Sequence, residues 1–295
     1  MQGDGLKRKA GIVPGMALSE KSGAEYLTFP AISRTGVVSH LMTMRAGGVS
    51  EGDLWSLNLG FSRGDRPENV RENFRRAAAL LGCLPEDMVC SDQTHTTNIR
   101  RVTNADRGKG VVRPKDYRDV DGLITDEPGI ALATFYADCV PLLFVDPLKR
   151  AVGLSHSGWR GTARGMGAET VHAMQEAFGS RPEDLLVGIG PSICRDCYEV
   201  SEDVADAFRI LFSGKDFRKV PIRLSRVLFE KGNGKYLLDL WKANEAVCLS
   251  AGVLPEHISM TDICTCCNPG RLFSHRASGG KRGNMGMFVM LLEEN

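Results

Sequence analysis

The chain has 295 residues, 42% of them hydrophobic and 25% charged, with a formal net charge of +1. So neutral a balance gives no field to gather nucleic acid or an anionic membrane, and the longest apolar stretches, GIALATFYA and CVPLLFV, are about half the length of a membrane helix. Nine cysteines in a chain whose basic start carries no apolar signal core argue against a disulfide framework and for a cytoplasmic protein, with the thiols as core residues, metal ligands or nucleophiles.

Residues 1–24 are rich in Gly and Lys and are expected to form a flexible extension, followed by one catalytic domain over 25–295. Residues 36–44 alternate like a strand and run into a turn, RAGGVS. The clearest helix lies within 64–82: Val70, Phe74, Ala77 and Leu81 share one face, Asp65 with Glu68 has the pattern of a capping box, and Gly82 suits the stop. Residues 121–125, 130–135, 139–146 and 151–156 read as successive strands, the last two joined by a turn at Asp146-Pro147-Leu148-Lys149. A helix over 163–178, a strand over 185–190, helices near 202–212 and 238–251, and strands over 258–262 and 286–292 follow. Met285, Met287 and Met290 read as core. Strands and helices mix without strict alternation, which predicts an α+β fold with mixed sheets rather than a doubly wound one.

Three stretches hold polar residues that a purely structural chain would not favour. SDQTHTT carries His95, YADCVPLLF carries Asp138 and Cys139 at a strand entrance, and LSHSGWRG carries His156 at the exit of the next strand. Cys139 and His156, seventeen residues apart, flank the expected hairpin and so come to the same sheet end. Two imidazoles and a thiolate suit Zn²⁺ with a fourth position left open. Each residue also has a plainer reading, a hydrogen-bonded histidine or a small core cysteine. A cysteine hydrolase with Cys139 as nucleophile and His156 as base, acting on a cell-wall peptide or amide, is a further alternative; a non-catalytic interaction protein is another. CRDC and CTCC offer a separate possibility, a four-thiolate structural zinc: CRDC is a C-x-x-C half-site, but CTCC, 67 residues on, reads as C-x-C-C and not as a usual zinc knuckle. Neighbouring reduced thiols are the simpler account of both.

RAGGVS, SLNLG, QTH, ADCVPLLFVDP, SHSGWRGTARG, GPSICRDCYEV and FSHR, in this order, resemble the YfiH/YlmD/LACC1 family from about Arg45 to the C-terminus. ADC followed by HSGWRG at this spacing is the specific part. The resemblance implies a single domain in α/β/β/α layers, with one zinc per chain on His95, Cys139 and His156. It implies phosphorolysis of purine nucleosides (adenosine, inosine, guanosine, methylthioadenosine), with adenosine deamination beside it. The expected partners are therefore purine nucleosides and phosphate, not nucleic acid or membrane, in a monomer or homodimer.

Phosphorolysis needs an anion site, and the Gly-Trp-Arg-Gly turn before a helix offers free amides and a positive dipole end, with Arg160, Arg164 and Arg45 as added charge. Asn58 of SLNLG and His275 and Arg276 of FSHR are further candidate substrate contacts. Asp121 and Asp138 are candidates either for acid–base work or for orienting a histidine. The chain departs from the family at RGNM, where TGRM is common, which leaves the part of Arg282 open. It has neither H-x-E nor P-C-x-x-C, so any deamination uses an arrangement unlike that of cytidine-type deaminases. The family has also been described as a copper laccase; six histidines without an H-x-H pair make copper the weaker expectation.

Overall fold

A computed structural model describes residues 5–294. Its strands are β1 (Ala17–Lys21), β2 (Ala24–Thr28), β3 (Val38–Thr43), β4 (Met88–Cys90), β5 (Ile99–Arg101), β6 (Gly122–Thr125), β7 (Ala131–Tyr136) and β8 (Val140–Asp146). Then come β9 (Ala151–Ser157), β10 (Leu186–Ile189), β11 (Glu199–Ser201), β12 (Leu228–Gly232), β13 (Lys235–Leu238), β14 (Ile258–Met260) and β15 (Met285–Leu291). One six-stranded sheet runs β1-β2-β3-β15-β7-β4, a second β14-β10-β8-β9-β6-β5, and a small third β11-β13-β12. The helices are α1 (Pro30–Ser33), α2 (Pro67–Leu81), α3 (Trp159–Ala163), α4 (Met166–Phe178), α5 (Glu202–Ser213), α6 (Leu240–Ser250) and α7 (His275–Ser278). Among the described residues no helix is long and apolar enough to cross a membrane.

The two large sheets face each other, and their shared core includes Leu27, Met42, Leu132, Leu143, Leu154, Met287 and Val289. On the outside of the first sheet, Val70, Phe74, Ala77 and Leu81 of α2 meet Leu41, Ala133, Phe288 and Met290. On the outside of the second, Val171 and Met174 of α4 and Trp241 of α6 meet Leu142, Phe144 and Val187. This is the expected α+β fold in α/β/β/α layers. Strands covered on both faces are apolar on both, so β8, β9 and β15 are buried along their whole length rather than alternating. Each such large side chain contributes about 1.5–3 kcal/mol of burial.

The hairpin that positions the site forms as expected. Asp146 Oδ1 accepts from the amides of Leu148 and Lys149, both at 2.9 Å, which closes the turn. The resulting register sets Pro141 opposite His156 and Val140 opposite Ser157.

Four expectations change. Residues 1–4 lie outside the described residues, but the sheet already begins inside the stretch expected as an extension: β1 pairs with β2 through a turn in which Ser22 and Gly23 both have positive φ, and Arg8 bridges Ile263. The Asp65–Glu68 capping box does not form, because Asp65 bonds Ser50, Asn58 and Asn69 and so ties two loops together instead; Gly82 does end α2 in the left-handed region. The helix expected over 163–178 forms as α4 but begins at Met166, because Gly165 at φ 80° separates it from a short helix, α3, that was not expected. The hairpin of β12 and β13 was missed, although Asn233-Gly234, both at positive φ, is a strong turn signal.

Candidate active site and metal centre

The register of β8 and β9 brings Cys139, just before one strand, beside His156 on the other. His156 is buried, and its Nδ1 lies 2.8 Å from Oδ1 of the fully buried Asp121, which leaves Nε2 to face outward from that pair. The same carboxylate accepts from the amides of Thr94 (3.1 Å), His95 (3.1 Å) and Thr96 (2.8 Å), and from Thr96 Oγ1 (2.9 Å). One aspartate therefore fixes the ring of one histidine and the loop of the other. That loop places His95 at φ 66°, a conformation costing a non-glycine residue about 1–3 kcal/mol, which these four bonds offset.

Ligand atoms of His95, Cys139 and His156 all lie within 4.8 Å of one another. Burial works to raise the Asp121 pKa, yet His156 and the amides hold it down to about 2. Burial works to lower that of His156, yet Cys139 and Asp121 together raise it to about 9. His95 is shifted down by burial and then by His156. Two imidazoles and a cysteine sulfur at this spacing, with a carboxylate behind one of the rings, form a set that a divalent ion would satisfy.

Gly158 makes room for this set. A Cβ there would lie 2.8 Å from His95 Nδ1 and 3.1 Å from Cys139 Sγ. We expect Gly158→Ala to displace both ligands and weaken metal binding at least 10-fold while the fold stays intact, measured by chelator competition alongside circular dichroism. Unchanged metal affinity would show that the backbone yields instead. The rest of the motif secures the turn: Ser157 Oγ bonds Thr162 and Asn244, and Trp159 packs partly buried beneath the Arg160 guanidinium.

The three donors face a cleft of about 440 Å³, also lined by Phe61, Phe74, Phe135, Arg63, Lys115, Arg282 and Asn284. Lys115 is paired with Asp92. Arg63 and Arg282 have no carboxylate at ion-pair distance among the described residues, and the Arg282 Nε is buried without a partner. Burial, and then repulsion from Arg63, lowers the Arg282 pKa to about 10.

Most residues expected to contact substrate lie elsewhere. Arg45 donates to the carbonyls of Trp55, Pro269 and Asp53 and stacks on Phe273. Asn58 is fully buried, joining Gly60 and Asp65 to the Asn284 amide. Arg160, on the five-residue α3, and Arg164, at its C-terminal cap, are exposed and do not line the cleft, although the Arg160 charge adds to the lowering of the His95 pKa; the helix is too short for an appreciable dipole. His275 is exposed at the start of α7, while Arg276 donates to the carbonyls of Cys197 and Glu199. Asp138, at φ 92°, spends one carboxylate oxygen on Thr265 Oγ1 (2.5 Å) and the other on the Arg276 amide (2.7 Å). The cleft cations missed in the sequence are Lys115, which is paired, and Arg63, whose local signal is a turn closed by the left-handed Gly64.

A family model described as "Multi-copper polyphenol oxidoreductase laccase" matches residues 39–292. The chain belongs to this family. The purine nucleoside phosphorylase YlmD of Geobacillus stearothermophilus is 40% identical over 257 residues, 86% of this chain and 90% of that protein. A purine nucleoside phosphorylase of Bacteroides thetaiotaomicron is 35% identical over 266 residues, 90% of this chain and 96% of that one. The crystal structure of the Geobacillus YlmD matches with a TM-score of 0.85 and 36% identity over 95% of this chain and 100% of that chain. The family's copper label does not suit the donors here. Of six histidines only His95 and His156 join a possible ion site among the described residues, too few imidazoles for several coppers.

Proposed function

We propose that the chain is a zinc-dependent purine nucleoside phosphorylase. The observation that carries this reading is one cleft holding a His₂Cys donor set and two guanidiniums without carboxylate partners. Relatives of similar length named purine nucleoside phosphorylases support it. Two imidazole nitrogens and a thiolate, with Asp121 orienting His156, fit one zinc ion on His95, Cys139 and His156 with a position to spare. When bound, zinc would supply a Lewis acid beside the reacting sugar.

The chain's own residues account for the rest. Arg63 and Arg282 hold inorganic phosphate, and the phenylalanines of the cleft give the purine an apolar face. A phosphate oxygen forms the bond to C1′ of the sugar as the C1′–N9 bond breaks; the electron pair leaves with the base, which takes up the proton that the phosphate gives up through solvent, and the sugar 1-phosphate remains. Asp121 acts as a positioning residue, and Asp138 holds the turn that presents Cys139. Adenosine, inosine, guanosine and methylthioadenosine are the proposed substrates, and adenosine deamination is a proposed second activity of the same cleft. The proposed setting is a cytoplasmic monomer or homodimer of one catalytic domain, without nucleic-acid or membrane partners.

Phosphate-dependent release of purine base, assayed with metal analysis of the same preparation, tests this. Activity should follow zinc at this site and be lost in His95→Ala, Cys139→Ala and His156→Ala. Zinc-loaded protein that leaves every nucleoside intact would remove the phosphorylase, and an acyl adduct on Cys139 would replace it with a hydrolase.

A further inference from the structure

A second group of side chains, outside the cleft, has ligand geometry of its own. The Sγ atoms of Cys194, Cys197, Cys264 and Cys267 all lie within 4.8 Å of one another, and those of Cys197 and Cys267 are 3.5 Å apart. Around a single zinc with Zn–S bonds of about 2.3 Å, thiolate sulfurs sit roughly 3.8 Å apart. All nine cysteines are free thiols.

The sequence hides the symmetry of this site. CTCC contains Cys264-Thr265-Cys266-Cys267, so its outer pair is a second C-x-x-C and Cys266 is the interposed residue. Both halves are turns: Cys194 to Cys197 closes a 3-10 turn, and Cys264 to Cys267 a turn held beside the first by the parallel bridge of Ser192 with Cys264. Amides point at sulfur as they do around a bound thiolate. Cys264 Sγ accepts from the amides of Cys194 (3.2 Å) and Cys267 (3.4 Å). The Lys9 ammonium, 3.1 Å from Asp196, lies near the cluster and would offset part of the charge of four thiolates. Cys194 and Cys264 are buried and the other two half-buried, which leaves little room for any ligand but a bare ion.

We propose that Cys194, Cys197, Cys264 and Cys267 bind a second, structural zinc ion. Each bound thiol gives up its proton, and the ion closes a tetrahedral four-sulfur site with no position left for substrate. The ion joins three distant pieces of chain. It fixes the end of β10 to the loop after β14, and Asn268, next to Cys267, exchanges two hydrogen bonds with the Lys7 backbone (2.7 and 3.0 Å). It also stands behind the cleft: Ile193 donates its amide to the Asp138 carbonyl, and Thr265 bonds the Asp138 carboxylate, immediately before the ligand Cys139.

Metal analysis of the protein purified under reducing conditions tests this independently of any activity. We expect two zinc ions per chain, one of which survives His156→Ala. Cobalt loaded into the His156→Ala protein should give the intense sulfur-to-metal charge-transfer absorption of a four-thiolate site. That absorption should persist in Cys266→Ser and vanish in Cys267→Ser. Because Cys267→Ser could fail to fold, thiol labelling of the wild type is the second measurement. Chelation should raise at least 10-fold the alkylation rate of all four cysteines, read peptide by peptide. A His156→Ala protein without metal, or four thiols whose labelling ignores the chelator, would overturn the proposal, as would recovery of these cysteines as disulfides.

Discussion

Asp121→Asn is expected to lower zinc affinity at the His₂Cys site by about 10- to 100-fold, with activity falling in step. The size of the effect follows from how many groups one carboxylate serves. It accepts at once from the His156 ring, from three consecutive amides and from a threonine hydroxyl. Asparagine has the same shape, but its amide group would turn N–H toward donors that need an acceptor. At least one of these buried donors would go unsatisfied, at about 1–3 kcal/mol. The loop would then release His95 from its left-handed conformation, and His156 would lose the partner that fixes its tautomer. Chelator competition and denaturant unfolding on the same variant separate the two consequences. If affinity is unchanged while stability falls, Asp121 supports the loop alone and the histidines are set by other contacts.

Neutralising the guanidinium pair is expected to act on phosphate more than on nucleoside. Arg282→Gln and Arg63→Gln should each raise the KM for phosphate by about 10- to 100-fold, corresponding to the loss of one or two hydrogen bonds to a charged group. Of the two, Arg282 is the stronger case: it is half-buried, its Nε has no partner, and Arg63 repels it until an anion lies between them. Arg160→Gln provides the comparison, since that side chain is exposed and lies outside the cleft lining. Kinetics with phosphate varied at saturating nucleoside decide the matter. A larger effect in Arg160→Gln would return the anion to the turn before α3.

Local chemistry carried the legible part of the fold and site. The β8–β9 hairpin is written in two apolar runs around an Asp-Pro turn, and its register brings Cys139 beside His156 without help from distant chain. The helical face of α2 is equally plain, because four apolar residues at helical spacing all find the same sheet. Arg282 could be named from the sequence, but its pairing with Arg63 was not legible. Arg63 precedes α2 and Arg282 precedes β15, and they line one cleft because the Leu59 amide donates to the Asn284 carbonyl and the Asn284 amide to Asn58 Oδ1, contacts made across more than 200 residues. Asp65 shows the converse: a good local helix cap does not form because Ser50 and Asn58 of the preceding loop, with Asn69 of α2, take up its carboxylate. The frame of CTCC was ambiguous for a related reason. Nothing in four residues says which cysteines point inward until the Ser192 bridge lays one turn beside the other.

The position of β15 also governs the order in which the molecule can assemble. It sits between β3 and β7, and Gly286 and Thr43, 243 residues apart in sequence, exchange hydrogen bonds across the join. On the ribosome, β3 and β7 emerge early and must wait with unpaired edges until residue 291 is free. Arg282 and Asn284, just ahead of β15, reach the cleft in the same late event. Loop closure over that span is slow and leaves sticky edges exposed meanwhile. The cleft is therefore incomplete until β15 has joined the sheet, and the two strand edges it covers are complete only then.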